Sequence, residues 1–188
     1  MPTAEIGEWR KGPGIDFFNT IKEKLGEKNI IAEDLGFMTD SVGELVRATG
    51  YPGMKILVFG FDDDSTNEYL PHNLSSNSVI YTGTHDNDTV KGWYLKLLQN
   101  NKEGAKYARE YTREHDKDKM AWAVIRLAYA SVCDTCIIPM QDILNLDNSA
   151  RINMPSSLGG NWEWRMDKNA LKKPIVKKLL EYKKMYNR

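Results

Sequence analysis

The 188-residue sequence predicts an α/β fold in which parallel strands alternate with helices. Short apolar stretches recur along the chain, and each is followed by a polar loop and then by apolar residues at helical spacing. The stretch at residues 54–59 is almost continuously apolar. That composition is typical of a strand covered on both faces, as in a parallel sheet with helices outside it.

The first part of the chain contains two predicted helices with a strand between them. Residues 16–25 place apolar side chains on one helical face, and Gly26 is a suitable stop. Residues 29–33 form the first predicted strand, and residues 38–49 form the second helix. This is the first repeat of the strand–helix order.

Three more strands are predicted, at residues 54–59, 78–82 and 135–139. The helices among and after them are expected at residues 90–99, 100–119 (one or two solvated helices), 120–132 and from about Ala170 or Pro174 onward. Four strand–loop–helix units make half of an eight-stranded barrel, a fold of about 250 residues. We therefore expect residues 1–188 to form one segment, the second half of a (β/α)8 barrel.

Composition and charge narrow the classes of function. Lys and Arg number 26, as do Asp and Glu, so the formal net charge is zero. This balance argues against a broad surface for nucleic acid or anionic membrane. No apolar run reaches the length of a membrane span. The N-terminus lacks the basic and then apolar pattern of a signal peptide, so we expect a cytoplasmic protein.

Two cysteines, Cys133 and Cys136, have the C-x-x-C spacing of a redox pair or half a zinc site. They lie where a predicted helix gives way to a strand, whereas the redox motif lies where a strand enters a helix. No second pair completes four zinc ligands. We therefore expect both to be buried, small apolar residues.

Polar side chains follow two of the predicted strands. Glu33 ends the first strand, and the strand at 78–82 leads through a glycine turn into His85, Asp86, Asn87 and Asp88. The carboxyl ends of parallel strands are where α/β proteins carry their chemistry. We expect Glu33 and Asp86 to face the same cleft.

Structural interpretations of these residues remain open. Glu33 could do no more than cap its own loop. Asp86 or, with better placement, Asp88 could cap the helix that begins at about Thr89. His85 could be a histidine that only packs its loop.

Six motifs occur in order along the chain, at residues 31–36, 51–55, 69–73, 81–89, 139–142 and 160–165. Together they resemble the 4-alpha-glucanotransferases, also called amylomaltases or disproportionating enzymes, of glycoside hydrolase family 77. The match spans nearly the whole chain. It covers only the C-terminal part of that family, whose members are much longer.

The resemblance implies transfer of α-1,4-glucan segments between maltodextrins or other α-1,4-glucans, with no metal or organic cofactor. It assigns the acid/base role to Glu33 and the role of stabilising carboxylate to Asp86. His85 is expected to hold sugar hydroxyls. The other predicted substrate-binding residues are Asn87, Asp62 and Asn153.

One part of the family pattern has no counterpart in this sequence. The family's nucleophilic Asp lies in an Arg-x-Asp-His segment, and Asp16 has neither the preceding Arg nor a strand before it. We therefore expect the nucleophile to be missing from this chain. The chain would then need the N-terminal half of the barrel, or would self-associate through open sheet edges. The alternatives are an inactive fragment that binds glucan and an α-amylase-like hydrolase that uses water.

Other residues near these motifs have two interpretations. The run of Asp62, Asp63 and Asp64 could suggest calcium, but it lacks EF-hand spacing, and a solvated loop is favoured. His72 is expected to be structural, although it could line the cleft. Trp162 and Trp164 could be sugar platforms or aromatic residues packed inside their loop.

Overall fold

The computed structural model describes residues 7–8, 10–36, 38–62 and 64–188, and the chain divides into two compact units, Met1–Gly53 and Met54–Arg188. The helices are α1 (Ile15–Leu25), α2 (Asp40–Thr49), α3 (Val90–Asn100), α4 (Lys102–Thr112), α5 (Met120–Ala130), α6 (Met140–Ile143) and α7 (Lys173–Tyr186). The strands are β1 (Gly53–Ile56), β2 (Ser78–Tyr81) and β3 (Thr135–Ile137). Helix positions therefore agree with the sequence to within a few residues, except for the short helix α6.

In the first unit, the strand predicted at 29–33 is wrong, because only one residue pairs. Ala32 forms an isolated parallel bridge with Gly53, and its amide donates to the Pro52 carbonyl at 2.9 Å. The Asp34 carboxylate occupies the position that a Cβ on Gly53 would take. This side chain therefore lies against the partner backbone directly beside the bridge. Neither α1 nor α2 buries a residue fully.

The second unit is built on a parallel sheet with the order β1-β2-β3. Val79, Ile80 and Tyr81 of β2 lie in parallel register with Thr135, Cys136 and Ile137 of β3. Helices α3, α4 and α5 contact one another beside this sheet. The fully buried core includes Ile56, Leu57, Phe61, Leu70, Ile80, Tyr94, Met120 and Ile125.

The strand predicted at 54–59 is too long. It ends at Ile56, and residues Leu57–Phe61 form a 3-10 helix. Gly60 allows Leu70 to pack closely against this turn, because a Cβ there would lie 3.0 Å from the Leu70 side chain. The apolar run correctly predicted burial of Ile56, Leu57 and Val58, but Phe59 is exposed, and the second half of the run enters the core through a helical turn.

The two cysteines are free, and Cys133 is buried. Its sulfur accepts a hydrogen bond from the Ser78 hydroxyl at 3.1 Å. Cys136 is partly buried, and this burial raises the pKa of its thiol to about 11. A thiol with so high a pKa is a poor nucleophile at neutral pH, in keeping with an apolar role.

Among the residues that the structure describes, no group of three or more His, Cys, Asp or Glu side chains is arranged to hold a metal ion. No described helix combines the length and apolar character that crossing a membrane requires. Asp63, part of the acidic run considered for calcium, lies outside the described residues.

Candidate active site

The loop between β2 and α3 carries three of the six predicted site residues, and its turn is built by one of the three. The Asn87 side-chain oxygen accepts hydrogen bonds from the Thr84 amide at 2.8 Å and the Thr84 hydroxyl at 2.9 Å. The Asp86 amide donates to the same hydroxyl at 3.3 Å. Asn87 thus shapes the loop with its carbonyl oxygen, and this turn orients Asp86.

A second segment, residues 151–153, forms hydrogen bonds to this loop. The Asn153 amide group donates to Asp86 Oδ1 at 2.6 Å, and the Asn153 backbone N–H donates to the His85 carbonyl at 3.1 Å. The Arg151 guanidinium donates to the carbonyl oxygens of Asp86 at 2.5 Å and Asn153 at 2.7 Å. The structure therefore brings three residues of the predicted site, His85, Asp86 and Asn153, into direct contact.

Asp88 does not cap α3, contrary to one interpretation of the sequence. Its carboxylate pairs with Arg151 at 2.5 Å and with Lys96 at 2.7 Å. The cap is Thr89, whose hydroxyl accepts from the Gly92 amide at 3.1 Å. The side chains of Asp88 and Arg151 are only 14% and 16% exposed, so this ion pair is largely shielded from solvent. Sequence analysis missed Arg151, because no local pattern sets it apart from other loop arginines.

His85 lies between Asp86 and Trp162. Its Nε2 is 3.3 Å from Asp86 Oδ1, and its ring centroid is 4.9 Å from that of Trp162. Trp162 is 57% exposed, so the interpretation as a packed aromatic residue is wrong for this side chain. Its backbone has φ 65°, a left-handed conformation that is costly for a bulky residue. Its amide donates to the Ile152 carbonyl at 2.7 Å, which helps to hold that conformation.

A cavity of about 240 Å³ opens beside this loop. Its lining includes the three predicted residues Asp62, Asp86 and Asn87, together with Val58, Phe59, Asp88, Trp93 and Arg151. Partial burial raises the pKa of the Asp62 carboxyl. Three of the lining side chains are apolar and five are polar or charged, so the cavity offers hydrogen-bonding groups beside a small apolar surface.

Glu33 and His72 are two further residues that the sequence singled out. Glu33 belongs to the first unit, directly after the Ala32 bridge, and its side chain is exposed. Its convergence with Asp86 stays a prediction. His72 is structural, as expected, because Nδ1 pairs with the Tyr111 hydroxyl and Nε2 with the Ser65 carbonyl, both at 2.8 Å.

The described geometry defines an α/β protein with carboxylate, imidazole and amide groups gathered where a parallel strand ends. The family model for 4-alpha-glucanotransferases, glycoside hydrolase family 77, matches residues 1–171. The chain belongs to this family.

Individual relatives agree with this assignment. The chain is 48% identical over 186 residues to a 4-alpha-glucanotransferase of Clostridium butyricum, covering 99% of this chain and 38% of that protein. A 4-alpha-glucanotransferase of Streptococcus pneumoniae serotype 4 is also 48% identical, with 99% and 36% covered. An amylomaltase from Streptococcus agalactiae, solved in complex with acarbose, superposes with a TM-score of 0.93 at 42% identity over 100% of this chain and 38% of that one. The chain thus spans less than two fifths of the length of these relatives.

Proposed function

We propose that this chain supplies the acid/base residue and the stabilising carboxylate of an enzyme that transfers α-1,4-glucan segments between maltodextrins. The observation that carries the proposal is the bonded cluster of His85, Asp86 and Asn153 in a chain of the 4-alpha-glucanotransferase family. The bound acarbose in the Streptococcus agalactiae amylomaltase supports an α-glucan or a mimic of one as the ligand.

Asp86 is the proposed stabilising residue. One oxygen of its carboxylate accepts from Asn153 and faces His85 Nε2, which fixes the plane of the group. A carboxylate held in this way can accept hydrogen bonds from sugar hydroxyls as the ring distorts toward an oxocarbenium-like transition state. The imidazole and the amide group are proposed to contact neighbouring hydroxyls.

Glu33 is the proposed acid/base. In a retaining double displacement, it protonates the glycosidic oxygen as a covalent glycosyl–enzyme forms, then takes the proton of the incoming sugar hydroxyl. Transfer exceeds hydrolysis when that hydroxyl is positioned better than water. The nucleophile is proposed to come from sequence outside this chain, since no Arg-x-Asp-His segment occurs within it.

Trp162 is the proposed platform for a glucose ring. Its exposed indole lies against His85, so a ring stacked on it would have hydroxyls close to the imidazole. Replacing Trp162 by Ala should weaken maltoheptaose binding about tenfold, whereas Trp162→Phe should retain most of it. Equal binding by all three proteins, measured by calorimetry, would remove this role.

The chain is further proposed to be the second half of a (β/α)8 barrel. In the described sheet, β3 lies at one edge, and a groove of about 700 Å³ beside it is lined in part by Tyr129, Cys136, Leu180 and Tyr186. We assign this edge to the rest of the barrel. The chain by itself is then expected to self-associate, and sedimentation as a compact monomer would contradict the assignment.

The test of the function uses a polypeptide of the relatives' full length that includes this chain. Glu33→Gln and Asp86→Asn should each reduce transfer between maltodextrins by at least about 10³-fold. Glu44→Gln, at an exposed acid of α2, and Asp134→Asn, at an exposed acid outside the site, are the matched controls and should retain activity. Full activity of either site variant would refute its role.

Product analysis separates the competing functions. A ladder of longer and shorter glucans indicates transfer, whereas release of reducing sugar without longer products indicates hydrolysis. Binding of maltoheptaose by this chain without turnover indicates a fragment that only binds glucan.

A further inference from the structure

Asp142 is a buried carboxylate that none of the proposed chemistry uses. It lies in α6, directly after β3, and is 1% exposed. One oxygen, Oδ2, accepts from the Thr82 hydroxyl at 2.5 Å, and the other, Oδ1, accepts from the Val90 amide at 2.8 Å. One oxygen of the carboxylate is therefore bonded to the residue that precedes the 83–89 loop, and the other oxygen is bonded to the helix that follows this loop.

These two partners are the ends of that loop. Thr82 directly follows β2, and Val90 is the first residue of α3. Residues 83–89 between them include His85, Asp86 and Asn87. One carboxylate therefore joins the two ends of the segment that carries the proposed stabilising group, and it reaches them from 52 and 60 residues farther along the chain.

A second long-range contact supports the same end of the loop. The Asn148 side-chain oxygen accepts from the Thr89 amide at 3.1 Å. This side chain lies against Gly92 in the space that a Cβ would occupy. The N-terminus of α3 is thus held by two side chains that follow β3.

We propose that Asp142 is a positioning residue for glucan transfer, which holds the ends of the 83–89 loop so that Asp86 and His85 keep their orientation. The proposal rests on the proposed function of Asp86. Asp142 does not contact the cavity and takes no part in proton transfer.

Asp142 is poorly explained as a purely stabilising residue. Burial raises the pKa of its carboxyl to about 6, against the opposing effect of the bonds from Thr82 and Val90. The ionised form is therefore less stable in this site than in water. A neutral Asn would avoid this cost and could keep both contacts, because its oxygen can accept from the Val90 amide and its amide group can donate to the Thr82 hydroxyl.

The first measurement is made on the chain itself and does not depend on activity. In Asp142→Ala at pH 7, which removes both acceptor oxygens, amide hydrogen exchange at Thr84, Asp86 and Asn87 should be at least about tenfold faster than in the unsubstituted chain. Asp142→Asn, which can keep both hydrogen bonds without the charge, should exchange near the unsubstituted rate and melt at a higher temperature, because a buried charge is removed. Asp134→Ala, the same truncation at an exposed site, should leave loop exchange unchanged.

Thr82 variants decide the matter if Asp142→Ala fails to fold. Thr82→Val removes the hydroxyl that donates to Asp142, and Thr82→Ser retains it. The Val variant should speed loop exchange, and the Ser variant should restore the original rate. Unchanged loop exchange in both Asp142→Ala and Thr82→Val would overturn the proposal, as would faster exchange that is equal in the loop and in α5.

The second measurement is kinetic, in a full-length polypeptide that includes this chain. Asp142→Ala should lower kcat for maltodextrin transfer by about 10- to 100-fold, the size of effect expected from a small misplacement of the reacting groups, with KM changed less than about threefold. An unchanged kcat would overturn the proposal. If the unsubstituted enzyme transfers no glucan, the proposed function fails, whereas the exchange rates still report whether Asp142 orders the loop.

Discussion

Residues 29–36 and residues 81–89 follow the same pattern in sequence, an apolar stretch that ends in acidic residues near a glycine, yet their surroundings differ. The loop with Asp86 receives hydrogen bonds from Arg151 and Asn153, which lie 63 to 67 residues later in the chain. The segment with Glu33 has one β-bridge, at Ala32, and Glu33 is exposed. The comparison teaches that a shared local pattern does not determine how firmly an acid is oriented.

The two units to which these segments belong also differ, in how many large apolar side chains they bury. The large apolar side chains that are fully buried, from Ile56 to Ile125, belong to the second unit. In the first unit, Phe17 and Leu25 of α1 and Val42 of α2 are exposed, although they lie on the apolar faces that predicted these helices. A unit of about 50 residues buries a smaller fraction of its surface than a unit of about 135 residues does. Hydrogen bonds between residues far apart in the chain are therefore found mainly around the larger core of the second unit.

The largest effect is expected from Arg151→Met, which removes the guanidinium that joins Asp86, Asp88 and Asn153. The largely shielded Asp88 keeps Lys96 as its cationic partner but loses the arginine. We expect a loss of about 2–4 kcal/mol in the free energy of unfolding, measured by urea denaturation. Arg47→Met, at an exposed position in α2, should change it by less than about 0.5 kcal/mol. Equal effects would erase the contrast between the two regions.

The buried Asp142 should make stability depend on pH. Its pKa is about 6 in the folded protein against an ordinary value of 3.8, so the folded state holds the proton more tightly. Between about pH 4 and pH 6 the unfolded chain ionises first, and this group lowers stability as pH rises, by on the order of 3 kcal/mol in total.

The measurement is the difference in unfolding free energy between Asp142→Asn and the unsubstituted chain. Hydrogen bonds lower the pKa of Asp64 and Asp116, so those carboxyls change stability in the opposite direction and cancel only in this difference. The variant's advantage should be small near pH 4 and reach its full value above about pH 6. A difference that is the same at both ends of the range would show that Asp142 is not the cause.

Glycine-to-alanine substitutions should have opposite signs in the two regions. A Cβ at Gly92 of α3 would overlap the Asn148 side chain, so Gly92→Ala should cost about 1–3 kcal/mol. A Cβ at Gly43 of α2 would meet only the end of the Arg47 side chain, at 3.4 Å. Gly43→Ala should therefore gain about 0.5–1 kcal/mol from helix propensity. Thermal denaturation of both variants checks the signs.

The smallest effect on stability is expected from Glu33→Gln. Because Glu33 is exposed, the free energy of unfolding should change by less than about 0.5 kcal/mol even though transfer is expected to be lost. Denaturation and activity are compared on the same preparation. A stability loss as large as that of Arg151→Met would indicate that Glu33 is structural and would contradict the contrast between the two regions.

The sequence by itself determined the α/β class, the helices and the position of β2, because these depend on the local spacing of apolar residues. It also determined the family, through six ordered motifs that include the loop at 81–89. The local spacing of apolar residues did not predict the structure correctly at residues 29–33 and 57–59. Both segments are apolar, yet neither forms a regular strand. A buried segment and a paired strand can show the same short run of apolar residues, so the spacing of these residues cannot distinguish the two structures.

Only the tertiary structure decided which groups hold the loop at residues 83–89. Arg151, Asp142 and Asn148 reach it from 52 to 65 residues away, and Trp162 reaches His85 from the loop that precedes α7. Hydrogen bonds between residues so far apart in the chain produce no local pattern that can be recognised in the sequence. The polar residues of the loop could be recognised from the chain, whereas their orientation depends on which later segments fold against them.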